Sequence, residues 1–305
     1  MQIANPIYDV VFKYMMKDKK VAKLFLSAII DEEIVELQFE PTEAEVPIKE
    51  SIIVLRMDFK ATIRQADGSH KVIIIEIQKA KLHTDIMRFR RYLGQQYSDA
   101  DNSIKVVSKN GEIEKKEAIP LLSIYFLGHK LNKASEIPVI KVERKYIDVA
   151  TGEIIKAKEK FIESLTHDSF IIQIPNIKEP RRTELEKLLY IFDQNNIDKS
   201  QGNHHLLDVK EEDLPENYRP IIRRLLHAFA NPKVRETMTA EDEIIEELQG
   251  YERKIEGLEE KLEQERKDKE QGIIQLLQMQ MSITQIVTIF NLSEGVVLNI
   301  KNKNL

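Results

Sequence analysis

Cysteine and tryptophan are both absent from the 305 residues of the chain. Without thiols the protein forms no disulfide and no thiolate zinc site, and a cysteine nucleophile is excluded. No apolar run reaches the roughly 18 residues of a membrane-spanning helix. The N-terminal residues also lack the charged-then-apolar order of a signal peptide. We therefore expect a cytoplasmic protein that does not enter a membrane.

Glycine is scarce as well, with 10 residues, and the chain contains neither a GxGxxG fingerprint nor a Walker loop. Such loops place backbone amides around the phosphates of dinucleotides and ATP, so we expect no nucleotide cofactor. The 7 histidines form no HExxH or similar metal-binding arrangement. Hydrophobic residues still make up 42% of the chain, which is enough for a folded core.

Charge is distributed unevenly along the chain, whose net value is -5. Residues 241–271 contain 13 acidic and 6 basic side chains, whereas all other residues together contain 40 basic and 38 acidic ones. The acidity therefore belongs to one segment. The net charge does not argue against nucleic-acid binding by the rest of the chain.

Hydrophobic periodicity predicts helices around a mixed sheet, which is an α/β fold class. Apolar residues between Tyr8 and Met15 are spaced three and four apart. This spacing predicts an N-terminal helix with Asn5 as a candidate N-cap. Later periodic segments predict further helices at 84–97, 183–194 and 220–230.

Two runs rich in β-branched residues, 52–64 and 71–78, predict a hairpin that turns at Asp67 and Gly68. The second run is almost entirely apolar, which predicts a central strand covered on both faces. Another apolar run predicts a strand at 119–127.

Three polar side chains occur in this apolar hairpin. Side chains alternate along a strand, so Glu76 and Gln78 share one face, and the turn brings Asp58 within reach of Glu76. Burying two carboxylates is costly, and two adjacent carboxylates also repel each other. A divalent cation such as Mg2+ or Mn2+ would offset both costs. The backbone carbonyl of Ile77 is a candidate third ligand. Alternatively, the acids are solvated or paired with a nearby lysine or arginine.

Four motifs follow one another along the chain. They are a D-x-x-F-K opening at Asp9, a D-x17-E-x-Q pattern from Asp58 to Gln78, the segment RFRRYLGQQY and the segment PLLSIYFLG. This ordered set resembles the PD-(D/E)XK nuclease superfamily. It is most similar to the Rpn branch, the recombination-promoting nucleases also described as PD-(D/E)XK family transposases. The resemblance covers about residues 1–195.

The resemblance implies a restriction-endonuclease-like core in which Asp58 and Glu76 bind Mg2+. Gln78 stands where the wider superfamily has lysine, and an amide can orient water but carries no charge. Lys60 lies two residues after Asp58, hence on its face, and is a candidate for the missing charge. Asp9 is a further candidate metal ligand, although the helix macrodipole alone favours an acid in a first turn.

Basic residues are concentrated after the hairpin. Arginine and lysine hold a phosphate backbone without reading sequence, so we expect DNA contacts here. Lys79 follows Gln78, and alternation points it to the opposite face unless the strand ends there. The alternative is an ordinary solvated helix face. The candidate DNA-binding residues are Lys79, Lys81, Arg88, Arg91 and Tyr92.

Three domains are expected: a nuclease-like domain at 1–232, an acidic coiled-coil-like helix at 241–271 and a helix-turn-helix-like tail at 272–305. Apolar residues from Ile244 to Leu262 are spaced 4, 3, 4, 3 and 4 apart, which is an a/d seam. The tail could bind DNA, but residues 283–299 contain no lysine or arginine. We therefore favour homo-oligomerisation through residues 241–305.

These observations lead to two hypotheses. The first is a metal-dependent DNA endonuclease, linked by resemblance to recombination, mobile elements or phage defence. The second is a scaffold protein that keeps the nuclease fold and binds DNA or assembles without turnover. The glutamine at position 78 leaves both open.

Overall fold

The computed structural model describes residues 1–40, 54–64, 68–80, 86–107, 113–134, 136–198 and 203–304. The chain divides into two compact units, Met1–Asp242 and Glu243–Leu305. The larger unit is a mixed α/β fold in which helices flank a mixed sheet, as the periodicity predicts.

The principal sheet has six strands in two blocks of different connectivity. Of the five pairs of neighbouring strands, three are antiparallel and two are parallel, and the parallel pairs join the three central strands. In spatial order the strands are β2 (Glu33–Glu40), β3 (Val54–Arg64), β4 (His70–Ala80), β7 (Leu121–Leu127), β11 (Asp168–Gln173) and β8 (Val139–Val142).

The predicted hairpin is confirmed as β3 and β4. Its turn contains Gly68 with a φ of 81°, a left-handed conformation that favours glycine; Asp67 lies outside the described residues. β4 is a central strand, as its apolar sequence predicts, because β3 pairs with one side and β7 with the other.

The two faces of the sheet are covered by different helices. The main core packs α1 (Asp9–Met16), α2 (Lys19–Ile30) and α6 (Arg219–Ala230) on the face that carries the odd-numbered residues of β3 and β4. The other face is covered by α3 (Ile86–Ser98), whose Phe89, Tyr92 and Leu93 contact apolar residues of β4, β7 and β11. Residues of even number in β3 and β4 therefore lie on the face of the sheet on which α3 packs.

Smaller elements complete this unit. They are β1 (Gln2–Ala4), β5 (Ser103–Val107), β6 (Ile113–Ala118), β9 (Tyr146–Ile147), β10 (Ile154–Ile155), α4 (Lys160–Leu165), α5 (Glu184–Leu189), β12 (Ile197–Asp198) and β13 (Asn203–Asp208). β13 pairs with β1 and β12, so a separate three-stranded sheet holds the N-terminal residues.

The C-terminal residues are helical. The predicted segment 241–271 lies inside one helix of 47 residues, α7 (Pro232–Gln278), which begins directly after α6. Two short helices follow, α8 (Ile283–Phe290) and α9 (Glu294–Asn304), and their axes differ by 116°. Ser282 is the N-cap of α8, where it forms a capping box with Gln285.

Ile273, Ile286 and Val297 form the small apolar core that joins α8 and α9 to the end of α7. Within the described part of the chain, no single helix is long and apolar enough to cross a membrane. Only α8 and α9 taken together, as a bent pair, have that length and composition.

Candidate active site

A row of polar residues crosses the sheet on the α3 face. Asp58 of β3 is the register partner of Glu76 in β4, and Glu76 is the partner of Ser123 in β7. Ser169 of β11, the register partner of Ser123, lies one strand beyond this row. Directly paired residues share a face, with Cβ atoms about 4.5–5.5 Å apart in an antiparallel pair. The backbone therefore brings the two predicted acids together.

The described side chains of this row, and Gln78 beside it, are deeply buried. Asp58 is 1% exposed, and Gln78 and Ser123 are each 0% exposed. The hydroxyl of Ser123 has no hydrogen-bond partner among the described residues. Polar groups buried to this degree are expensive unless another group or an ion meets them.

Parts of the predicted site lie outside what the structure describes. These are the side chains of Glu76 and Arg88, and the whole of Lys81. Ile77 is described, and it lies at the centre of the sheet in register with Met57 and Ile124. The metal-binding role of the Ile77 carbonyl stays a prediction.

Lys60 is partly exposed and lies on the face of Asp58, two residues along β3. It forms no ion pair with a described residue. Its charge therefore lies on the same face as the acid, and its catalytic role stays a prediction.

Lys79 and Asp9 do not belong to this site, and both assignments need correction. Lys79 lies on the opposite face of β4, where its side chain is 1% exposed and its ammonium is 2.5 Å from the Asp9 carboxylate. The ammonium also donates a hydrogen bond to the carbonyl of Ile7. A lysine enclosed in this way cannot contact a DNA backbone, and the sheet separates Asp9 from Asp58.

The N-cap prediction for Asn5 is also wrong. Asn5 is 1% exposed and donates to the carbonyl of His204, while the helix starts later, at Asp9. The first turn of α1 is capped instead by Glu241 of α7. Its two carboxylate oxygens accept hydrogen bonds from the backbone amides of Asp9 and Val10, both at 2.8 Å.

Helix α3 carries two exposed arginines, Arg90 and Arg91. Contact of Arg91 with a phosphate backbone stays a prediction. Tyr92 is half-buried and packs with Phe89 and Leu127. Packing against the sheet thus explains the partial burial of Tyr92, and DNA contact by Tyr92 stays a prediction.

The metal prediction can be compared with the donors present. No group of three or more His, Asp, Glu or Cys residues is arranged to bind a metal among the described side chains, a set that lacks Glu76. The predicted donors are only two carboxylates and a carbonyl. A buried carboxylate placed in register with a second acid, beside an unmet buried hydroxyl, fits a divalent cation.

A second buried polar cluster lies around Glu163 of α4. Arg144 contacts Glu163 at 3.1 Å and Asp168 at 2.9 Å, and the Tyr146 hydroxyl donates to Glu163 at 2.5 Å. Burial would raise the pKa of Glu163, but the Tyr146 hydrogen bond and the nearby positive charges of Arg144 and Lys158 lower it. The pKa of Asp168 is likewise lowered by Arg144 against the effect of burial. The negative charges of Glu163 and Asp168 are therefore compensated by positive charges within the cluster.

No protein-family profile, curated protein or solved structure matches this chain. The site must therefore be interpreted from its own geometry. Sequence reasoning missed Ser123, although a lone polar residue inside the apolar strand Leu121–Leu127 was a usable signal.

Proposed function

We propose that this protein is a metal-dependent DNA endonuclease of the PD-(D/E)XK type. The observation that supports the proposal most strongly is the register pairing of Asp58 and Glu76 on a face where Asp58 is 1% exposed. Two acids side by side in an apolar layer are costly unless they bind a cation, and oxygen donors favour Mg2+ or Mn2+.

Each neighbouring residue has a distinct part in this proposal. Asp58 and Glu76 would hold the cation, with the Ile77 carbonyl as a third donor. The bound cation would activate water and stabilise charge on the phosphate. Gln78 would orient the water and Lys60 would supply positive charge. The water oxygen forms a bond to phosphorus as the bond from phosphorus to the 3'-oxygen breaks, and the 3'-oxygen leaves as a hydroxyl with a proton from water.

The exposed arginines of α3 would hold the DNA. Arg91 is exposed on the helix that packs on the same face of the sheet as the polar row, and we propose that it contacts the DNA backbone. Arg88 and Lys81 are proposed to extend this surface. Contacts of this kind are independent of base sequence and weaken as salt concentration rises.

Plasmid cleavage tests the proposal. Wild-type protein should nick supercoiled DNA with Mg2+ or Mn2+, and Asp58→Ala and Glu76→Ala should not. Glu36→Gln, an acid of the neighbouring strand β2 outside the polar row, serves as a matched control. Equal nicking by all the variants would reject the assigned site.

A scaffold function is the second candidate, and the exposed seam of α7 favours it. Tyr251, Ile255, Leu258 and Leu262 are 53%, 55%, 65% and 59% exposed within their unit. Their 4-3-4 spacing matches only another helix with the same repeat, so we propose a second copy of this chain as the partner. Salt-sensitive DNA binding without cleavage would favour this function over the nuclease.

Self-association is testable in the full-length chain. Ile255→Lys combined with Leu258→Lys should reduce the mass measured by light scattering. Glu246→Lys combined with Glu260→Lys adds positive charge off the seam and should leave the mass unchanged. A wild-type chain that is already monomeric would remove the claim.

A further inference from the structure

We propose that Ser123 is a positioning residue for Glu76: its buried hydroxyl orients the carboxylate that, with Asp58, binds the divalent cation. The inference rests on the proposed function and extends it to a residue that the sequence motifs do not include. It starts from the juxtaposition of Ser123 with Glu76 in the parallel pair of β4 and β7.

The backbone places these two residues beside each other. Glu76 and Ser123 are register partners, so they share the α3 face of the sheet, and neighbouring strands lie about 4.8 Å apart. Asp58 occupies the same row on the other side of Glu76. Glu76 is thus flanked by an acid and by a hydroxyl.

The hydroxyl of Ser123 is otherwise unexplained. Ser123 is 0% exposed, and its oxygen has no hydrogen-bond partner among the described residues. A hydroxyl carries one donor and two acceptor sites, and leaving them unmet in the interior is unfavourable. Alanine would fit the same strand without that penalty, so the hydroxyl indicates a partner that belongs to the working site.

A serine at this position suits the chemistry of a metal-binding acid. Groups that hydrogen-bond to a ligating carboxylate fix its orientation, and removing one typically weakens metal affinity about 10-fold or more. Ser123 donates one hydrogen bond in this role and forms no bond to the reacting phosphate.

Ser169 provides a matched control within the same sheet. It is the register partner of Ser123 on β11, is 8% exposed, and lies one strand farther from Glu76. A general effect of removing a buried serine hydroxyl would appear in both variants. An effect that depends on proximity to Glu76 would appear only at position 123.

The test measures Mn2+ binding to the intact protein by electron paramagnetic resonance, together with plasmid cleavage and thermal melting. Ser123→Ala should bind Mn2+ about 10-fold more weakly than wild type, and its melting temperature should be equal or higher. It should need correspondingly more Mn2+ for half-maximal cleavage. Ser169→Ala should match wild type, and Ser123→Thr, which keeps the hydroxyl, should recover most of the affinity.

Three results would overturn the inference. The first is unchanged Mn2+ affinity in Ser123→Ala while wild type binds and cleaves, which leaves the proposed function intact. The second is an equal loss in Ser169→Ala, or a lower melting temperature for Ser123→Ala, either of which assigns a packing role. The third is a wild-type protein that neither binds Mn2+ nor cleaves DNA, which rejects the proposed function itself.

Discussion

The two faces of β4 bury polar groups in different ways. On one face the Lys79 ammonium is enclosed and contacts the Asp9 carboxylate, and Glu241 caps the helix turn that carries Asp9. On the other face Asp58 and Ser123 are equally enclosed, and the Ser123 hydroxyl meets no partner among the described residues. The first arrangement pairs a cation with an anion, whereas the second includes a buried hydroxyl without a described partner.

This difference separates structural charge from functional charge. A buried ion pair whose partners are both present keeps the helix and the sheet together, and removing either partner exposes the full cost of the other. A buried acid placed in register with a second acid is unfavourable without a ligand. Four predictions test this distinction, beginning with the largest effect.

Asp58→Asn should reduce metal-dependent cleavage by about a thousandfold, since the removed charge is worth several kcal/mol in binding the cation. The unfolding free energy is measured in parallel, so that a loss of cleavage is distinguished from a loss of folding. Plasmid nicking and urea unfolding measure the two quantities. A variant with wild-type cleavage would show that Asp58 is not a metal ligand.

Asp9→Asn should produce the opposite pattern on the other face. The neutral amide leaves the Lys79 ammonium buried and uncompensated, so we expect the unfolding free energy to fall by about 3–5 kcal/mol. Urea unfolding measures the loss, and Lys79→Met combined with Asp9→Asn should recover part of it. If Asp9→Asn had the same unfolding free energy as the wild type, the ion pair would not stabilise the fold.

Glu241→Gln should destabilise the protein by about 1–2 kcal/mol. An amide side chain has one acceptor oxygen and no charge, so it satisfies one of the two amides that Glu241 caps. Glu246→Gln, an exposed acid on the same helix, is the control and should have no effect. Equal melting temperatures for both variants would remove the capping role.

Acid should weaken the Arg144 cluster, with the smallest effect of the four. The pKa values of Glu163 and Asp168 lie below their ordinary values of 4.5 and 3.8, so these groups stabilise the fold fully above those values. The stabilisation is lost as pH falls through the lowered pKa values. Urea unfolding below about pH 4 should show a loss of about 1 kcal/mol. Arg144→Gln should make the loss smaller, and an unchanged acid slope in this variant would contradict the assignment.

The hairpin and its polar pair could be predicted from sequence. The apolar alternation and Gly68 identified β3 and β4, and the period of two placed Asp58 and Gln78 away from the main core. These predictions succeeded because they depend on neighbours within about 20 residues. The same alternation assigned Lys79 to the opposite face.

The remaining features depend on distant parts of the chain. Glu241 is 232 residues from the amide of Asp9 that it caps, and no local pattern predicts such a contact. Lys79 is buried because α1 packs over its end of β4. The position of Ser123 beside Glu76 can be recognised only when β7 is known to pair with β4 in parallel. That pairing follows from the strand order of the whole sheet.

The most direct test of the central claim is anomalous diffraction from crystals soaked in Mn2+. The account predicts one strong peak on the α3 face of the sheet, about 2.1 Å from carboxylate oxygens of both Asp58 and Glu76. The peak should be absent from crystals of Asp58→Asn. A wild-type map with no peak there, or with both acids paired to cationic side chains, would contradict it.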